Sequence, residues 1–190
     1  YSVERANGRI PIIAGTGSND TAYAIDLTKE ACDQGADGVL VVTPYYNKAN
    51  KQGVINHFKA IAEAVNIPII LYNVPSRTGI DLSVNSIVDI AKLDNIVAIK
   101  EANPDLNKLA TVFNELEKED LSKNFTVLSG NDSLTLPMIA QGARGVISVA
   151  ANVLPAEMSL MVKNALEGNY DEARALSNDL FDLMDVMFIE

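Results

Sequence analysis

Residues 67–102 read IPIILYNVPSRTGIDLSVNSIVDIAKLDNIVAIKEA. This stretch holds two short apolar runs, at 67–72 and 96–100, with a helical pattern at 83–93 between them. Short runs rich in Val and Ile are typical of strands that are buried on both faces of a parallel sheet. The stretch therefore predicts a strand–helix–strand unit whose two strands run parallel.

The same alternation continues on both sides of this unit without a linker or a low-complexity segment, which indicates a single domain. The apolar runs predict strands at 10–14, 38–43, 67–72, 96–100, 125–128 and 145–149. Apolar residues spaced near 3.6 predict helices at 20–34, 52–65, 83–93, 103–118, 133–141, 155–167 and 171–187.

Two α/β architectures fit this alternation, an open doubly wound sheet and a closed barrel. A doubly wound dinucleotide-binding fold carries G-x-G-x-x-G after its first strand, but here the segment is GTGSND and Asp20 replaces the third glycine. A (β/α)8 TIM barrel has eight strands and about 250 residues. With six predicted strands we expect an incomplete barrel, strands 3–8, followed by C-terminal helices.

The boundaries predicted within this single domain follow from that arrangement. Residues 1–154 form the partial barrel, and residues 155–190 form its final helix and the start of a C-terminal helical region. The first residues, YSVERANGR, resemble the end of a helix that leads into a strand, so we expect two βα units to precede them.

Composition excludes several classes of function. The 25 acidic and 15 basic residues give a net charge of -10, which argues against a nucleic-acid partner. No apolar run approaches the roughly 20 residues that span a bilayer. Cys32 is the only cysteine and His57 the only histidine, so we predict no disulfide, no metal site, a structural or surface role for His57, and a cytoplasmic protein.

Lys100 is the strongest candidate for a catalytic residue, because it ends a predicted strand and barrel enzymes carry their reacting groups at the C-terminal ends of strands. If Ile96 and Ala98 point into the barrel, strand alternation places Lys100 in its mouth, where burial lowers the pKa of the amine and makes it a nucleophile. In the alternative, Val97, Ile99 and Glu101 point inward and Lys100 pairs with a helix carboxylate.

Two other strand ends, LYNVPSRTG and TPYYNK, carry polar side chains with two interpretations each. Tyr72 either transfers protons beside an amine or is a core tyrosine with a satisfied hydroxyl. Arg77 either holds a substrate carboxylate or is an exposed loop residue. Tyr45 and Tyr46 either face the site or contact another subunit.

Taken together, these segments resemble the dihydrodipicolinate synthase branch of the N-acetylneuraminate lyase superfamily. The matching segments span nearly the whole chain and occur in the same order as in the family. Each segment alone would be weak evidence, but the combination is highly specific. It is carried by AGTGSNDT (14–21), VTPYYNK (42–48), LYNVPSRTG (71–79), IVAIKEA (96–102), LSGND (128–132) and GVISVAANV (145–153).

The resemblance implies a catalytic role for three residues. Lys100 matches the lysine that condenses with pyruvate to give an imine and then an enamine. Tyr72 matches the proton-relay tyrosine beside that lysine. Tyr46 matches a tyrosine that family members lend across a tight dimer interface to a neighbour's relay.

The resemblance also implies the substrates. Arg77 matches the arginine that holds the carboxylate of aspartate semialdehyde, and Gly130 and Ile147 match positions whose backbone faces pyruvate. The implied product is 4-hydroxy-tetrahydrodipicolinate, in lysine and diaminopimelate biosynthesis. No metal or dissociable cofactor is implied, and the family usually forms a homotetramer, a dimer of dimers.

Two departures from the family pattern matter. The threonine of a Gly-Thr-Thr-Gly-Glu turn, which completes the relay, has no counterpart here. Tyr23 stands where lysine-inhibited relatives carry an acidic residue, although Asn19 matches a lysine contact, so we predict weak or absent feedback by lysine. Two alternatives stay open: a sister aldolase that cleaves N-acetylneuraminate or a keto-deoxy-sugar acid, and a catalytically incomplete fragment held by assembly.

Overall fold

Five parallel strands form one sheet in the order of the sequence. The structure is a computed structural model and describes residues 1–189. A doubly wound sheet reverses its strand order at a switch point, whereas strands that follow one another around a barrel do not. The sequential order therefore confirms the barrel-type α/β fold. The strands are β1 (Ile13–Gly15), β2 (Gly38–Val42), β3 (Ile69–Asn73), β4 (Ile96–Glu101) and β5 (Thr126–Ser129).

Helices connect the strands and cover one face of the sheet. They are α1 (Ser2–Ala6), α2 (Thr21–Asp33), α3 (Lys51–Ala64), α4 (Pro75–Thr78), α5 (Val84–Ala91), α6 (Leu106–Lys118), α7 (Thr135–Gln141), α8 (Pro155–Leu166) and α9 (Tyr170–Val186). All seven predicted helices are present within about two residues of their predicted ends, α6 excepted. The prediction missed α4.

The two faces of the sheet have different surroundings. Val41, Leu71, Ile99 and Val127 are at most 1% exposed and pack with helix residues in the main hydrophobic core. Their neighbours along each strand point the other way because side chains alternate across a sheet. The register aligns these neighbours in one row across the sheet, Val42, Tyr72, Lys100 and Leu128.

A β-bulge in β4 corrects one prediction. Ile69 pairs with Ile96 but Ile70 pairs with Ala98, so Val97 has no partner in β3. The extra residue interrupts strict alternation. As a result Ile96 lies in the helix-side core, whereas Ala98 and Lys100 face the opposite side. The prediction that Ile96 and Lys100 share a face is therefore wrong, and of the two orientations left open for Lys100 the structure has the one that faces away from the helices.

The sixth predicted strand, 145–149, is not a strand. Only one isolated bridge, between Ser129 and Val146, joins it to the sheet. The Asp132 carboxylate accepts hydrogen bonds from the amides of Val149 (3.0 Å) and Ala150 (2.9 Å), and this turns the chain into a 3-10 helix. The segment therefore leaves the sheet after one pairing.

Local side-chain chemistry shifts two helix starts. Asp20 is not the first helical residue but the cap of α2, because its carboxylate accepts the amide of Tyr23 at 3.0 Å. In the predicted helix 103–118, the first turn is absent and Asp105 caps α6 instead. The residue before Pro104 avoids helical backbone angles, which delays the helix.

β1 begins later than predicted, at Ile13. Pro11 has no amide hydrogen to give to a sheet, and the amide of Ile12 donates to the Asp37 carboxylate at 2.7 Å.

His57 is a buried structural residue, which is one of the two roles predicted for it. Its side chain is 3% exposed, and its Nδ1 atom lies 2.9 Å from Thr21 Oγ1. Burial lowers the pKa of the imidazole.

The C-terminal helices form a second, smaller core. Ala150, Met158, Met161, Leu180 and Met184 are each at most 5% exposed and pack together. This packing places α9 beside the C-terminal ends of the strands. The predicted boundary between 154 and 155 stays a prediction.

Candidate active site

Lys100 and Tyr72 are adjacent on the face of the sheet away from the main core. They are register partners in β4 and β3, and Lys100 Nζ lies 4.3 Å from the centre of the Tyr72 ring. Both stand near the C-terminal ends of their strands, which is where (β/α)8 enzymes place reacting groups. The pair is therefore located where chemistry is expected.

Burial prepares the Lys100 amine for nucleophilic attack. The residue is 9% exposed. Burial lowers its pKa below that of an ordinary lysine, and the negative charge of Asp132 opposes the shift only in part. A larger neutral fraction follows, and only the neutral amine has the lone pair that attacks a carbonyl carbon.

Burial has the opposite consequence for Tyr72. It raises the pKa of the phenol, and the positive charge of Arg77 counteracts this in part. The hydroxyl therefore stays protonated at neutral pH. A protonated phenol beside an amine can give a proton to a developing alkoxide and take one back.

A cavity of about 370 Å³ opens above this pair. Lys100, Tyr72, Arg77 and Gly130 all line it, and α9 contributes apolar side chains, including Phe181 and Met184. A concave site with a few convergent polar groups and apolar walls is the usual form of a small-molecule site. The structure therefore brings four of the six predicted site residues to one cavity.

Arg77 reaches the cavity from the short helix α4. Pro75 occupies its first turn and Gly79, with φ 72°, ends it by donating its amide to the Pro75 carbonyl at 3.0 Å. A proline at the start and a glycine after the end form a known helix signature, so NVPSRTG held the signal for α4. Arg77 is exposed on this helix, which leaves its guanidinium accessible to a ligand.

Gly130 is required by its close contacts with Ala102 and with the stem of Lys100. A Cβ on Gly130 would lie 2.8 Å from Ala102 Cβ and 3.1 Å from Lys100 Cγ. Only a residue without a side chain fits this gap without displacing the lysine. Gly130 therefore shapes the cavity floor around the amine.

The other two predicted residues lie outside the lining of the cavity. Ile147 follows the bridge to β5 and donates its amide to the Ser129 carbonyl at 2.9 Å. Tyr46 is 90% exposed and has a positive φ of 73°. Within one chain, Tyr46 does not reach the cavity.

The structure also reveals polar residues behind the site that sequence reasoning missed. Glu101 is 3% exposed, and burial raises the pKa of its carboxyl group to about 7. It accepts hydrogen bonds from Asn73 Nδ2 at 2.8 Å and from the amide of Asn103 at 2.7 Å. The partners come from separate segments, and no motif connects them.

Residues 1–189 lack two other features, a cluster of metal-binding side chains and a membrane-spanning helix. No group of three or more His, Cys, Asp or Glu side chains there could hold a metal ion. In the same range, no helix is both long and apolar enough to cross a bilayer.

Comparisons with known proteins agree on one family. The model of the "Dihydrodipicolinate synthetase family" matches residues 1–190. The 4-hydroxy-tetrahydrodipicolinate synthase of Methanosphaera stadtmanae is 65% identical over 188 residues, which is 99% of this chain and 63% of that relative.

Two solved structures have the same fold. The crystal structure of dihydrodipicolinate synthase from Aquifex aeolicus has a TM-score of 0.94 at 49% identity, covering 100% of this chain and 63% of that one. The chloride-inhibited synthase from Acinetobacter baumannii, complexed with pyruvate, has a TM-score of 0.93 at 45% identity, covering 99% and 63%. The chain thus spans less than two thirds of the length of these relatives.

Proposed function

Because this chain belongs to the dihydrodipicolinate synthetase family, we propose that it carries the reaction centre of a Schiff-base-forming lyase. The reaction condenses pyruvate with aspartate 4-semialdehyde to give 4-hydroxy-tetrahydrodipicolinate. The observation that carries the proposal is the buried amine of Lys100 beside the Tyr72 ring, on the wall of an open cavity.

The first half of the reaction takes place on Lys100. Its neutral amine adds to the C2 carbonyl of pyruvate, and the carbinolamine loses one water to become an iminium. Tyr72 gives a proton to the oxygen that leaves and later receives one. Loss of a proton from C3 of the pyruvyl group converts the iminium into an enamine.

The second half forms the carbon–carbon bond. The enamine C3 attacks the aldehyde carbon of aspartate semialdehyde, whose oxygen takes up a proton and becomes the hydroxyl of the product. The amino group of the semialdehyde then adds to C2 and expels the Lys100 amine. One water is released in total, and the lysine is regenerated.

Arg77 is the proposed partner of the semialdehyde carboxylate. Its guanidinium is exposed at the cavity and offers two parallel donors, the geometry that a carboxylate accepts. This charge favours a small aldehyde acid over a sugar chain, whose hydroxyl groups need neutral partners. For that reason we rank the sister aldolases second.

The backbone at Gly130, on the cavity wall, and at Ile147, which lies next to the bridge to β5 but outside the cavity lining, is the proposed contact for pyruvate. The amide of Gly130 already donates to the Glu101 carbonyl at 2.7 Å, and that of Ile147 donates to Ser129. Their carbonyl groups are therefore the atoms available to a ligand. Carbonyl oxygens attract the hydroxyl proton of the carbinolamine and the polarised methyl group.

Tyr46 extends the proposal to assembly. An exposed tyrosine with a positive φ is costly unless something compensates, and the cavity of its own chain does not receive it. We propose that it enters the site of a second subunit within a homo-oligomer, a dimer of dimers, in the cytoplasm. No metal or dissociable cofactor enters this scheme.

Product analysis tests the proposed reaction. The full-length protein is incubated with pyruvate plus aspartate semialdehyde, and in parallel with N-acetylneuraminate. We expect condensation in the first mixture, no cleavage in the second, and loss of condensation in Lys100→Ala. Cleavage of the sugar acid without condensation would replace the proposal with the sister-aldolase function.

A further inference from the structure

A cluster of polar side chains lies beside the cavity and is not part of the proposed chemistry. It consists of Asn73, Asp81, Glu101, Asn103 and Lys108, named here the Asp81 cluster. Asp81 is its centre, because both of its carboxylate oxygens accept hydrogen bonds from other members of the cluster. Oδ1 accepts from Asn73 Nδ2 at 2.9 Å and from Lys108 Nζ at 2.5 Å, and Oδ2 accepts from Asn103 Nδ2 at 2.9 Å.

The cluster closes the segment that carries Arg77. β3 ends at Asn73, α4 follows at once, and the chain returns to Asn73 at residues 81 and 82. There Asp81 accepts from Asn73 Nδ2, and the amide of Leu82 donates to Asn73 Oδ1 at 3.2 Å. Residues 74–80 thus form a loop whose two ends are joined by one asparagine and one aspartate.

Asp81 also ties this loop to neighbouring elements. Asn103 follows β4 and Lys108 belongs to α6, so the carboxylate links the Arg77 segment to the strand that carries Lys100. Burial alone would raise the pKa of Asp81, but its hydrogen bonds to Asn73, Lys108 and Asn103 outweigh burial and keep the pKa below its usual value. The carboxylate is therefore charged throughout the neutral range.

Arg77 depends on this loop for its position. Among residues 1–189, its guanidinium makes no hydrogen bond or ion pair of its own, and its helix α4 has only four residues. An exposed, unsupported side chain on so short a helix is placed by the backbone beneath it. Contacts that hold the ends of the loop therefore determine how far the guanidinium extends into the cavity.

We propose that Asp81 is a positioning residue for Arg77: it holds the 74–80 loop so that the Arg77 guanidinium meets the carboxylate of the second substrate. The inference rests on the proposed function for the identity of that substrate. Its structural part, the control of the segment by Asp81, stands apart from it. The two parts therefore have separate tests.

Kinetics of the full-length protein tests the role in substrate binding. We expect Asp81→Ala to raise the KM for aspartate semialdehyde about tenfold, which corresponds to about 1.4 kcal/mol. The KM for pyruvate and the formation of the Lys100 adduct should change less than about twofold. Asp89→Ala is the matched control, because Asp89 also pairs with a lysine and is 44% exposed against 43% for Asp81.

A double-mutant cycle separates positioning from general damage. If Asp81 acts through Arg77, adding Asp81→Ala to Arg77→Ala should raise the KM for aspartate semialdehyde by less than about twofold. Independent, additive effects of the two substitutions would overturn the proposal. Asp81→Asn, which keeps the size of the side chain, provides the same comparison if Asp81→Ala does not fold.

Hydrogen exchange tests the structural part without any substrate. The amides of Arg77, Thr78 and Gly79 are bonded within the loop. We expect them to exchange at least about tenfold faster in the Asp81 variant, while β3 and β4 stay protected. Unchanged exchange would overturn the proposal even if the enzyme is active. Faster exchange in a protein without synthase activity would preserve the role of Asp81 and remove only the proposed substrate.

Discussion

Lys100 combines a long polar side chain with a buried position, a combination that is costly for a charged amine and useful for a neutral one. Its neighbours preserve that state. Tyr72 covers the amine on one side, and Gly130 leaves just enough space for the aliphatic stem on the other. The lack of a side chain at position 130 is therefore as necessary to the site as the side chains that line it.

Gly130→Ala tests this close contact. The added methyl group would meet Ala102 and Lys100, so we expect the rate of adduct formation with pyruvate to fall at least about tenfold and stability to fall by about 1–3 kcal/mol. Gly53→Ala in α3 is the control, because its Cβ would make only an ordinary contact at 3.4 Å. An active, equally stable Gly130→Ala protein would show that the gap is not needed.

The sequence led to the individual site residues more readily than to their support. Tyr72 and Lys100 lie near the ends of recognisable strands and Arg77 follows one, and all three fall within the family segments, so the resemblance chose between interpretations that the residues alone left open. Glu101 and Asp81 were missed because each depends on contacts between segments distant in the chain. Such contacts exist only after folding.

Among the elements, β4 shows where periodicity is insufficient. Strand alternation predicts that Ile96 and Lys100 share a face, and the bulge at Val97 breaks that relation. The prediction of a sixth strand at 145–149 failed for a related reason. Apolar composition predicts that a segment is buried, but it does not predict which strands will pair with it. Helices were predicted more accurately because their caps and apolar stripes are local features.

The end of β4 should give the protein a measurable pH dependence. Because burial raises the pKa of Glu101 from its ordinary value of 4.5 to about 7 in the folded protein, the folded state binds a proton between these pH values that the unfolded state releases. This group therefore lowers the free energy of unfolding as pH rises from 4.5 to 7, by an amount on the order of 3 kcal/mol.

Urea unfolding at pH 5 and pH 7 tests this dependence in Glu101→Gln, whose side chain stays neutral. We expect the loss of stability between these pH values to be smaller in the variant than in the wild type. Glu63→Gln is the control, because Glu63 is 66% exposed in the folded protein. A variant with the same pH dependence as the wild type would rule out Glu101 as its source.

The whole molecule raises the question of assembly. The order of the strands follows from rules of chain connection and was predictable. The position of Tyr46 was not, because the partner of an exposed residue is not encoded in any local pattern. Tyr46 is 90% exposed in this chain, and the proposed oligomer would give it a second subunit to contact.

Mixing two inactive variants tests the transfer of Tyr46 between subunits. Full-length Tyr46→Phe and Lys100→Ala are unfolded, mixed and refolded together. If the tyrosine acts in the partner's site, mixed dimers regain one complete site, and activity should reach about a quarter of wild type. If the tyrosine acts in its own chain, the mixture will stay as inactive as its components.

The response to lysine is a further prediction at the scale of the whole protein. Tyr23 is 57% exposed and offers no carboxylate to a ligand ammonium, so we expect lysine to inhibit the full-length enzyme weakly or not at all. Tyr23→Glu should introduce inhibition, whereas Tyr170→Glu, on α9, should not. Strong inhibition of the unaltered enzyme would show that position 23 does not control the response.

Borohydride reduction in the presence of pyruvate tests the central claim most directly. Reduction converts an imine on the lysine into a stable secondary amine, which peptide mapping by mass spectrometry can locate in the full-length protein. We predict a pyruvate adduct on Lys100, formed at neutral pH and absent when either pyruvate or borohydride is omitted. An adduct on another lysine, with Lys100 unmodified, would contradict the account.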